Sequence, residues 1–338
     1  MEVASLRFAP GSEGLLTPLM PWLCDTTVSE ILINKPHEVY VECLGEMKRY
    51  EVSSLTQLHL KRLFLFIANE NRQHLDESSP MLSGNLYDGS RVQLIIPPAS
   101  QHYTLSIRRQ SIKQMTLTDY KETDFYSQAQ PFEKTKPTST YFNEEEKQLM
   151  ALYHVGNWPD FIELAVLLKK NILISGETSS GKTTFLNACT RYIPPSERLI
   201  TLEDTYEINT THPNKVALLA PKKLESQEAT LSMQDLVQCA LRLRPDRLIM
   251  GEIRGREIMD FISACSTGHE GSITSIHASN PRVAFMRMIQ MYKLNNVPSM
   301  RDEEIQAILN EVIDIILQVK KTPQGRKLVY VYYKNAGR

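Results

Sequence analysis

The stretch that decides the fold is residues 172–186, which read Ile-Leu-Ile-Ser-Gly-Glu-Thr-Ser-Ser-Gly-Lys-Thr-Thr-Phe-Leu. A short apolar run is followed by two glycines with four residues between them, a lysine and a threonine, and then by a helical pattern. A phosphate-binding P-loop requires this order of strand, glycine loop and helix. Glycines let the backbone pass close to a phosphate, so that N–H groups and the helix N-terminus face the anion. The sequence therefore predicts a nucleotide-binding α/β domain.

The residues of this loop have individual predicted roles. Lys182 is expected to reach the β- and γ-phosphate oxygens, and the hydroxyl of Thr183 is expected to ligate Mg2+. ATP and Mg2+ are thus the predicted cofactors. The residues predicted to bind the nucleotide here are Gly176, Glu177, Thr178, Ser179, Ser180, Gly181, Lys182, Thr183 and Thr184.

Two further apolar runs end in carboxylates. The run 199–202 is followed by Glu203 and Asp204, and the run 246–251 is followed by Glu252. Ligands bind outside the carboxyl ends of strands in open α/β sheets, so both groups are expected near Lys182. One carboxylate would hold the Mg2+ shell, for which Glu252 is predicted alongside Thr183, and one would activate water. The sequence leaves open whether Glu203 or Glu252 is the base.

Two histidines flank a fourth apolar run, Ser272 to Ile276. His269 lies in a glycine-flanked segment before it, and His277 ends it. Either imidazole could sense the γ-phosphate by hydrogen bonding, and both are predicted site residues. A zinc site made of these histidines and Glu270 is disfavoured, because they lack the i, i+4 spacing on a helix that zinc proteases use.

The rest of the chain predicts two domains and a linker. Short β-rich runs between Ile31 and Val52, then a helix with apolar residues at i, i+3, i+4 and i+7, predict a small α+β domain over residues 1–116. Residues 117–142 are polar and contain two prolines, which predicts an interdomain linker. Strand and helix patterns alternate over 143–338, as in a parallel sheet covered by helices.

Composition excludes several classes of protein. The 38 Lys and Arg residues balance 39 Asp and Glu residues, so no direct binding of nucleic acid is expected. The five cysteines contain no CxxC pair, which disfavours a zinc module or a disulfide framework. Neither a signal peptide nor an uninterrupted apolar run of about 18 residues is found, so a cytoplasmic protein is expected.

Four segments resemble, in order, the Walker A, acidic, Walker B and histidine boxes of the secretion-superfamily motor ATPases. They are GETSSGKTT, LITLEDTYEI, RPDRLIMGEIRG and TGHEGSITSIHA. Upstream, SEILINKPHEVYVE, DGSRVQLIIPP and SIRR resemble the N-terminal domain of the type IV secretion traffic ATPases. The likeness extends over roughly residues 25–335.

The resemblance implies a RecA-like P-loop C-terminal domain and a ring of six copies that hydrolyses ATP to power substrate translocation or pilus assembly. It implies inner-membrane and other ATPase components of a secretion machine as partners, and peripheral association with the cytosolic face of the inner membrane. By the same resemblance Glu203 or Glu252 activates water and His277 takes part in a relay. Arginines of the N-terminal domain approach the γ-phosphate, where a guanidinium stabilises phosphoryl charge. The matching residues are Arg91, Arg108 and Arg109.

Three alternatives stay open at this point. Type II secretion or type IV pilus motors share the boxes, although the type II relatives commonly carry a CxxC zinc module that this chain lacks. A nucleic-acid translocase is disfavoured by the balanced charge. A scaffold that binds ATP without hydrolysing it is disfavoured because Lys182, Glu203 and Glu252 are all present.

Overall fold

The computed structural model describes residues 13–43, 45–109, 115–132, 142–220 and 231–336, and the chain divides into two compact units. The described part of the first unit ends at residue 109, and that of the second begins at Met115. Each unit has its own buried apolar core, and both mix helices with strands.

The first unit is a six-stranded antiparallel sheet with the order β3-β2-β1-β6-β5-β4. Its helices are α1 (Glu13–Leu16), α2 (Met20–Leu23) and α3 (Gln57–Glu70), with a 3-10 turn at Thr17–Leu19. Its strands are β1 (Val28–Ile33), β2 (Glu38–Cys43), β3 (Glu46–Glu51), β4 (Met81–Asn85), β5 (Arg91–Ile95) and β6 (Thr104–Arg108).

The predicted meander and helix of this unit are confirmed. Strands β1 to β3 pair in sequence order, and α3 begins after Thr56, whose hydroxyl accepts a hydrogen bond from the His59 N–H at 3.2 Å. Such a cap satisfies one of the free N–H groups of the first helical turn. The four residues that form the predicted apolar stripe of this helix are all buried: Leu60, Leu63, Phe64 and Ile67.

The second unit is built on an eight-stranded sheet with the order β10-β9-β11-β12-β8-β13-β14-β7. Its strands are β7 (Gln130–Pro131), β8 (Ile172–Gly176), β9 (Leu199–Glu203), β10 (Lys215–Leu219), β11 (Arg247–Met250), β12 (Ile273–Ile276), β13 (Ile315–Thr322) and β14 (Gly325–Tyr333). Its helices are α4 (Leu117–Glu122), α5 (Glu144–Val155), α6 (Trp158–Leu167), α7 (Lys182–Thr190), α8 (Met233–Leu241), α9 (Glu257–Ser266), α10 (Pro281–Lys293) and α11 (Asp302–Val312), with a 3-10 turn at Asp124–Tyr126.

Helices cover both faces of this sheet, which confirms the predicted α/β class. The first six strands in this order, from β10 to β13, all run parallel to one another. The next strand, β14, is antiparallel to its neighbour β13. Successive residues of a strand point to opposite faces. In β8, Ile172 and Ile174 accordingly join a core with α5, α6 and α7, whereas Leu173 joins a second core with α8 to α11. No helix among the described residues is long and apolar enough to cross a membrane.

The described part of the predicted linker is packed structure, which corrects the interpretation of residues 117–142. Tyr120 of α4 and Phe125 of the 3-10 turn are buried against Phe185 of α7, with ring centroids 5.1 and 5.0 Å apart. Strand β7 pairs with β14. The sequence pattern did not predict this packing, because a few large side chains supply the burial without any apolar repeat. Residues 133–141 of the predicted linker lie outside the described residues.

Candidate active site

The P-loop connects β8 to α7, at the carboxyl edge of the parallel strands. Ser179 and Gly181 have φ of 59° and 94°, the left-handed conformations that let successive N–H groups face one concavity. The end of β8 admits only glycine, because a Cβ at Gly176 would lie 2.5 Å from the carbonyl oxygen of Val319. Lys182 begins α7, and its Nζ donates to the carbonyl oxygens of Gly176 and Glu177, each at 2.9 Å. The backbone and the lysine thus form a concave set of donors suited to phosphate.

Glu203 ends β9 in an almost completely buried position. The side chain is 2% exposed, and its Oε1 accepts hydrogen bonds from the N–H groups of Glu207 at 2.6 Å and Ile208 at 2.7 Å. The other oxygen, Oε2, is buried and has no hydrogen-bond partner among the described residues. Burial raises the pKa of this carboxyl to about 7, although the two backbone donors oppose the rise. Such a group can both accept and release a proton near neutral pH.

Glu252 follows β11, the strand beside β9, and its surroundings differ. Arg254 donates to Glu252 Oε2 from Nε at 3.0 Å and from Nη2 at 2.7 Å, while its Nη1 donates to Asp204 Oδ2 at 2.5 Å. The carboxylates hold the pKa of Arg254 above its usual value, although burial opposes this shift most strongly. The remaining oxygen, Oε1, lies 3.1 Å from His277 Nε2. Both oxygens of Glu252 are therefore engaged by donors.

His277 joins Glu252 to the P-loop lysine. Its Nδ1 lies 3.3 Å from Lys182 Nζ. An ammonium group can only donate, so Nδ1 accepts and Nε2 carries the proton that is donated to Glu252. Burial first, and then the charge of Lys182, lower the pKa of His277, which favours this neutral form. Arg287 Nη1 donates to the His277 carbonyl oxygen at 2.7 Å and fixes the end of the strand.

Thr183, the predicted magnesium ligand, contacts a carboxylate other than the predicted one. Its Oγ1 donates to Glu207 Oε2 at 3.2 Å, whereas Glu252 is held by Arg254 and His277. Mg2+ keeps several waters and is held by one or two protein groups together with substrate phosphates. The Thr183 hydroxyl and the Glu207 carboxylate beside it fit such a site. No group of three or more His, Cys, Asp or Glu residues placed to hold a metal occurs in the described part of the chain.

The remaining predicted site residues have other partners. His269 Nδ1 lies 2.9 Å from the Pro245 carbonyl oxygen, to which it donates, so this imidazole has a structural partner in a loop. In the first unit Arg91 and Arg108 lie opposite each other on β5 and β6. Arg109 is 8% exposed, and its Nη1 donates to the carbonyl oxygens of Trp22 and Asp25. The nucleotide contacts of these four residues stay predictions.

Besides Glu207, two residues of the site were not predicted. Asn187 lies one turn after Thr183 on α7; its Nδ2 donates to the Glu207 carbonyl oxygen at 3.0 Å and its Oδ1 accepts from the Asn209 N–H at 3.0 Å. This amide ties the segment after Glu203 to the P-loop helix, and the i, i+4 spacing from Thr183 was a usable signal. Arg326 Nε donates to the Ser179 carbonyl oxygen at 3.2 Å, a contact across 147 residues that no local pattern could indicate.

Sequence comparisons match most of the second unit to a known family, and nearly the whole chain to individual known proteins. Residues 149–327 match the family of Type II/IV secretion system proteins. A type IV secretion system protein VirB11 of Brucella suis is 36% identical over 98% of this chain and 92% of its own length. The type IV secretion system protein PtlH of Bordetella pertussis is 33% identical over 95% of this chain and 94% of its own length.

Two solved structures are similar to this chain. The crystal structure of the VirB11 ATPase from the Brucella suis type IV secretion system, in complex with sulphate, is similar with a TM-score of 0.53 and 33% identity. The match covers 96% of this chain and 99% of that chain. The pilus retraction motor PilT with bound ADP has a TM-score of 0.58 over 96% of this chain and 83% of its own, but at 18% identity it shows a shared fold alone.

Proposed function

This chain belongs to the family of Type II/IV secretion system proteins, and from that premise we propose that it is a ring-forming ATPase of a bacterial type IV secretion system. It hydrolyses ATP to power substrate translocation or pilus assembly. The observation that carries this proposal is Glu203, a buried carboxyl with a free oxygen and a pKa near 7, at the carboxyl end of a strand in the sheet that also carries the P-loop. A scaffold that only binds ATP has no need of such a group.

We propose that Glu203 is the general base. Its Oε1 is fixed by two backbone donors, so Oε2 keeps a defined direction and takes the proton of the attacking water. Lys182 exchanges its present carbonyl partners for phosphate oxygens and stabilises the charge that develops on them. His277 contacts Lys182 through Nδ1 and Glu252 through Nε2, so it links the lysine to the ends of β11 and β12.

Mg2+ is the proposed metal cofactor, held by Thr183 with the Glu207 carboxylate beside it. When bound, the ion neutralises charge on the phosphate oxygens. In this proposal Glu252 does not ligate the metal itself, because Arg254 and His277 donate to its two oxygens.

The proposed working form is a homo-hexamer at the cytosolic face of the inner membrane, bound to inner-membrane and other ATPase components of the secretion machine. The near balance of 38 basic and 39 acidic residues supports a role without direct nucleic-acid binding. Arg91 and Arg108 remain the proposed γ-phosphate contacts contributed by the first unit.

The direct test is the Mg2+-dependent ATPase rate against protein concentration, with the molecular mass measured in parallel. We expect a rate that rises as a six-subunit species forms and that single-stranded DNA does not change. Lys182→Ala should lower the rate at least about a hundredfold, because it removes a charged phosphate donor without altering the apolar core. The matched control, Lys147→Ala, removes an exposed lysine that pairs with Glu144 on α5 and should leave the rate unchanged.

Two outcomes would refute the proposal. Turnover at the wild-type rate in Lys182→Ala would remove the site assignment. A rate that depends on single-stranded DNA, with a steep dependence on salt, would instead indicate a nucleic-acid translocase.

A further inference from the structure

The hairpin of β13 and β14 lies directly against the P-loop. Strand β13 runs parallel to β8, with Val319 paired to Gly176, the residue at which the loop begins. The hairpin turn is closed by Thr322, whose Oγ1 donates to the Gly325 carbonyl oxygen at 2.9 Å and accepts from the Gln324 N–H at 3.2 Å. Strand β14 begins at Gly325, and its second residue is Arg326.

The exposed Arg326 side chain contacts two residues of the loop. Its Nε donates to the Ser179 carbonyl oxygen at 3.2 Å. A Cβ at Gly181 would lie 2.8 Å from Arg326 Cδ, so the aliphatic stem is packed on that glycine. The next residue, Lys327, is 2% exposed, and its Nζ donates to the carbonyl oxygen and a carboxylate oxygen of Asp124 at 2.7 and 2.6 Å. The backbone that carries Arg326 is therefore firmly held.

This contact bears on the shape of the loop. Ser179 and Gly181 are the two loop residues with positive φ, a conformation that costs a non-glycine residue such as Ser179 energy unless neighbouring contacts maintain it. The N–H of the peptide that follows Ser179 belongs to Ser180 and donates to the Glu177 carbonyl oxygen at 3.3 Å, so this turn bond and the Arg326 donor hold both ends of that peptide. A charged donor makes a stronger hydrogen bond than a neutral one.

We propose that Arg326 is a positioning residue of the nucleotide site, which keeps the P-loop in its phosphate-binding shape by holding the Ser179 carbonyl. This inference rests on the proposed binding of a nucleoside triphosphate at the loop. It assigns to the C-terminal hairpin a part in nucleotide affinity, separate from the chemistry of Glu203 and Lys182.

Two substitutions isolate the contact. Arg326→Met keeps most of the stem that packs on Gly181 and removes every donor. Arg326→Gln places a neutral N–H donor at the position of the arginine Nε and removes the charge. Lys320→Met is the matched control, since Lys320 is an exposed basic residue on the same hairpin.

The measurements are KM and kcat for ATP hydrolysis and the Kd of fluorescently labelled ADP, with the melting temperature of each variant. We expect Arg326→Met to raise KM and Kd about tenfold and to change kcat less than about twofold, as for the loss of binding common to ground state and transition state. Arg326→Gln should recover most of the affinity, and Lys320→Met should match the wild type.

Unchanged KM and Kd in Arg326→Met would overturn the inference, and so would a Gln variant as impaired as the Met variant. The binding of labelled ADP requires no hydrolysis. A wild-type protein that binds ADP without turning over ATP would therefore refute the proposed function while leaving the role of Arg326 testable.

Discussion

The carboxyl ends of β9 and β11 are neighbours in one sheet, yet they present their carboxylates in opposite ways. Glu203 is 2% exposed, has no cationic partner in the described part of the chain, and keeps one oxygen without a donor. Glu252 accepts hydrogen bonds from Arg254 on one oxygen and from His277 on the other. The two carboxylates have the same position relative to their strands, and they differ only in the groups that surround them.

The difference assigns the roles that the sequence left open. A general base needs a free lone pair directed at water and a pKa near the working pH. Glu203 has both, because burial raises its pKa to about 7. Glu252 instead accepts hydrogen bonds from the arginine and from the histidine that contacts Lys182, so it orients the site.

The largest expected effect comes from Glu203→Gln. The variant keeps the shape of the side chain and removes the base, so kcat should fall about 10²- to 10⁴-fold while the Kd for ADP stays near the wild-type value. The matched control is Glu252→Gln, which keeps an acceptor for His277 and Arg254 and should lower kcat only about tenfold. Steady-state ATPase assays and ADP titrations measure both. A greater loss of kcat in Glu252→Gln than in Glu203→Gln would reverse the assignment.

A smaller effect is expected on stability. The pKa of Glu203 rises from 4.5 to about 7 on folding, so the folded protein binds the proton more tightly than the unfolded chain. The stabilising contribution is complete below pH 4.5 and is lost as the pH rises through 7. The shift corresponds to about 3 kcal/mol of unfolding free energy. Glu203→Gln cannot ionise, so relative to the wild type it should gain about this amount between pH 4.5 and pH 8.

Urea unfolding at several pH values would measure this gain. The chain has two tryptophans, Trp22 in the first unit and Trp158 in the second, so a Trp22→Phe background lets fluorescence report the second unit alone. A stability difference between Glu203→Gln and the wild type that is independent of pH would show that folding leaves the pKa of Glu203 unchanged.

Local chemistry explains which parts of this molecule were predictable. The P-loop, the parallel sheet and the two carboxylate-bearing strand ends each follow from a short pattern, and all lie where the sequence predicts them. Arg326 and Glu207 could not be assigned, because their partners are fixed by strand order and loop path rather than by spacing. His269 has the glycine-flanked setting that predicts a site residue, and its imidazole donates to the Pro245 carbonyl oxygen, so its nucleotide contact stays a prediction.

The packing of the segment predicted as a linker was missed for a related reason. Residues 117–126 bury Leu117, Tyr120 and Phe125 in the core beside Phe185, without a repeat that marks an amphipathic helix. A polar average therefore concealed a segment that packs on the P-loop helix. Burial by a few aromatic side chains can be recognised only when the partner surface is known.

The most direct test of the central claim, that Glu203 is the base, is the pH dependence of kcat/KM for ATP in the wild-type protein between pH 5.5 and 9 (about the range that most folded domains tolerate). This ratio reports the ionisation of groups in the free enzyme. We predict that kcat/KM rises with pH along a limb of apparent pKa near 7, the value to which burial raises Glu203. Glu252→Gln should retain this limb at a lower plateau. A kcat/KM that is flat over this range, or a limb that disappears in Glu252→Gln, would contradict the account.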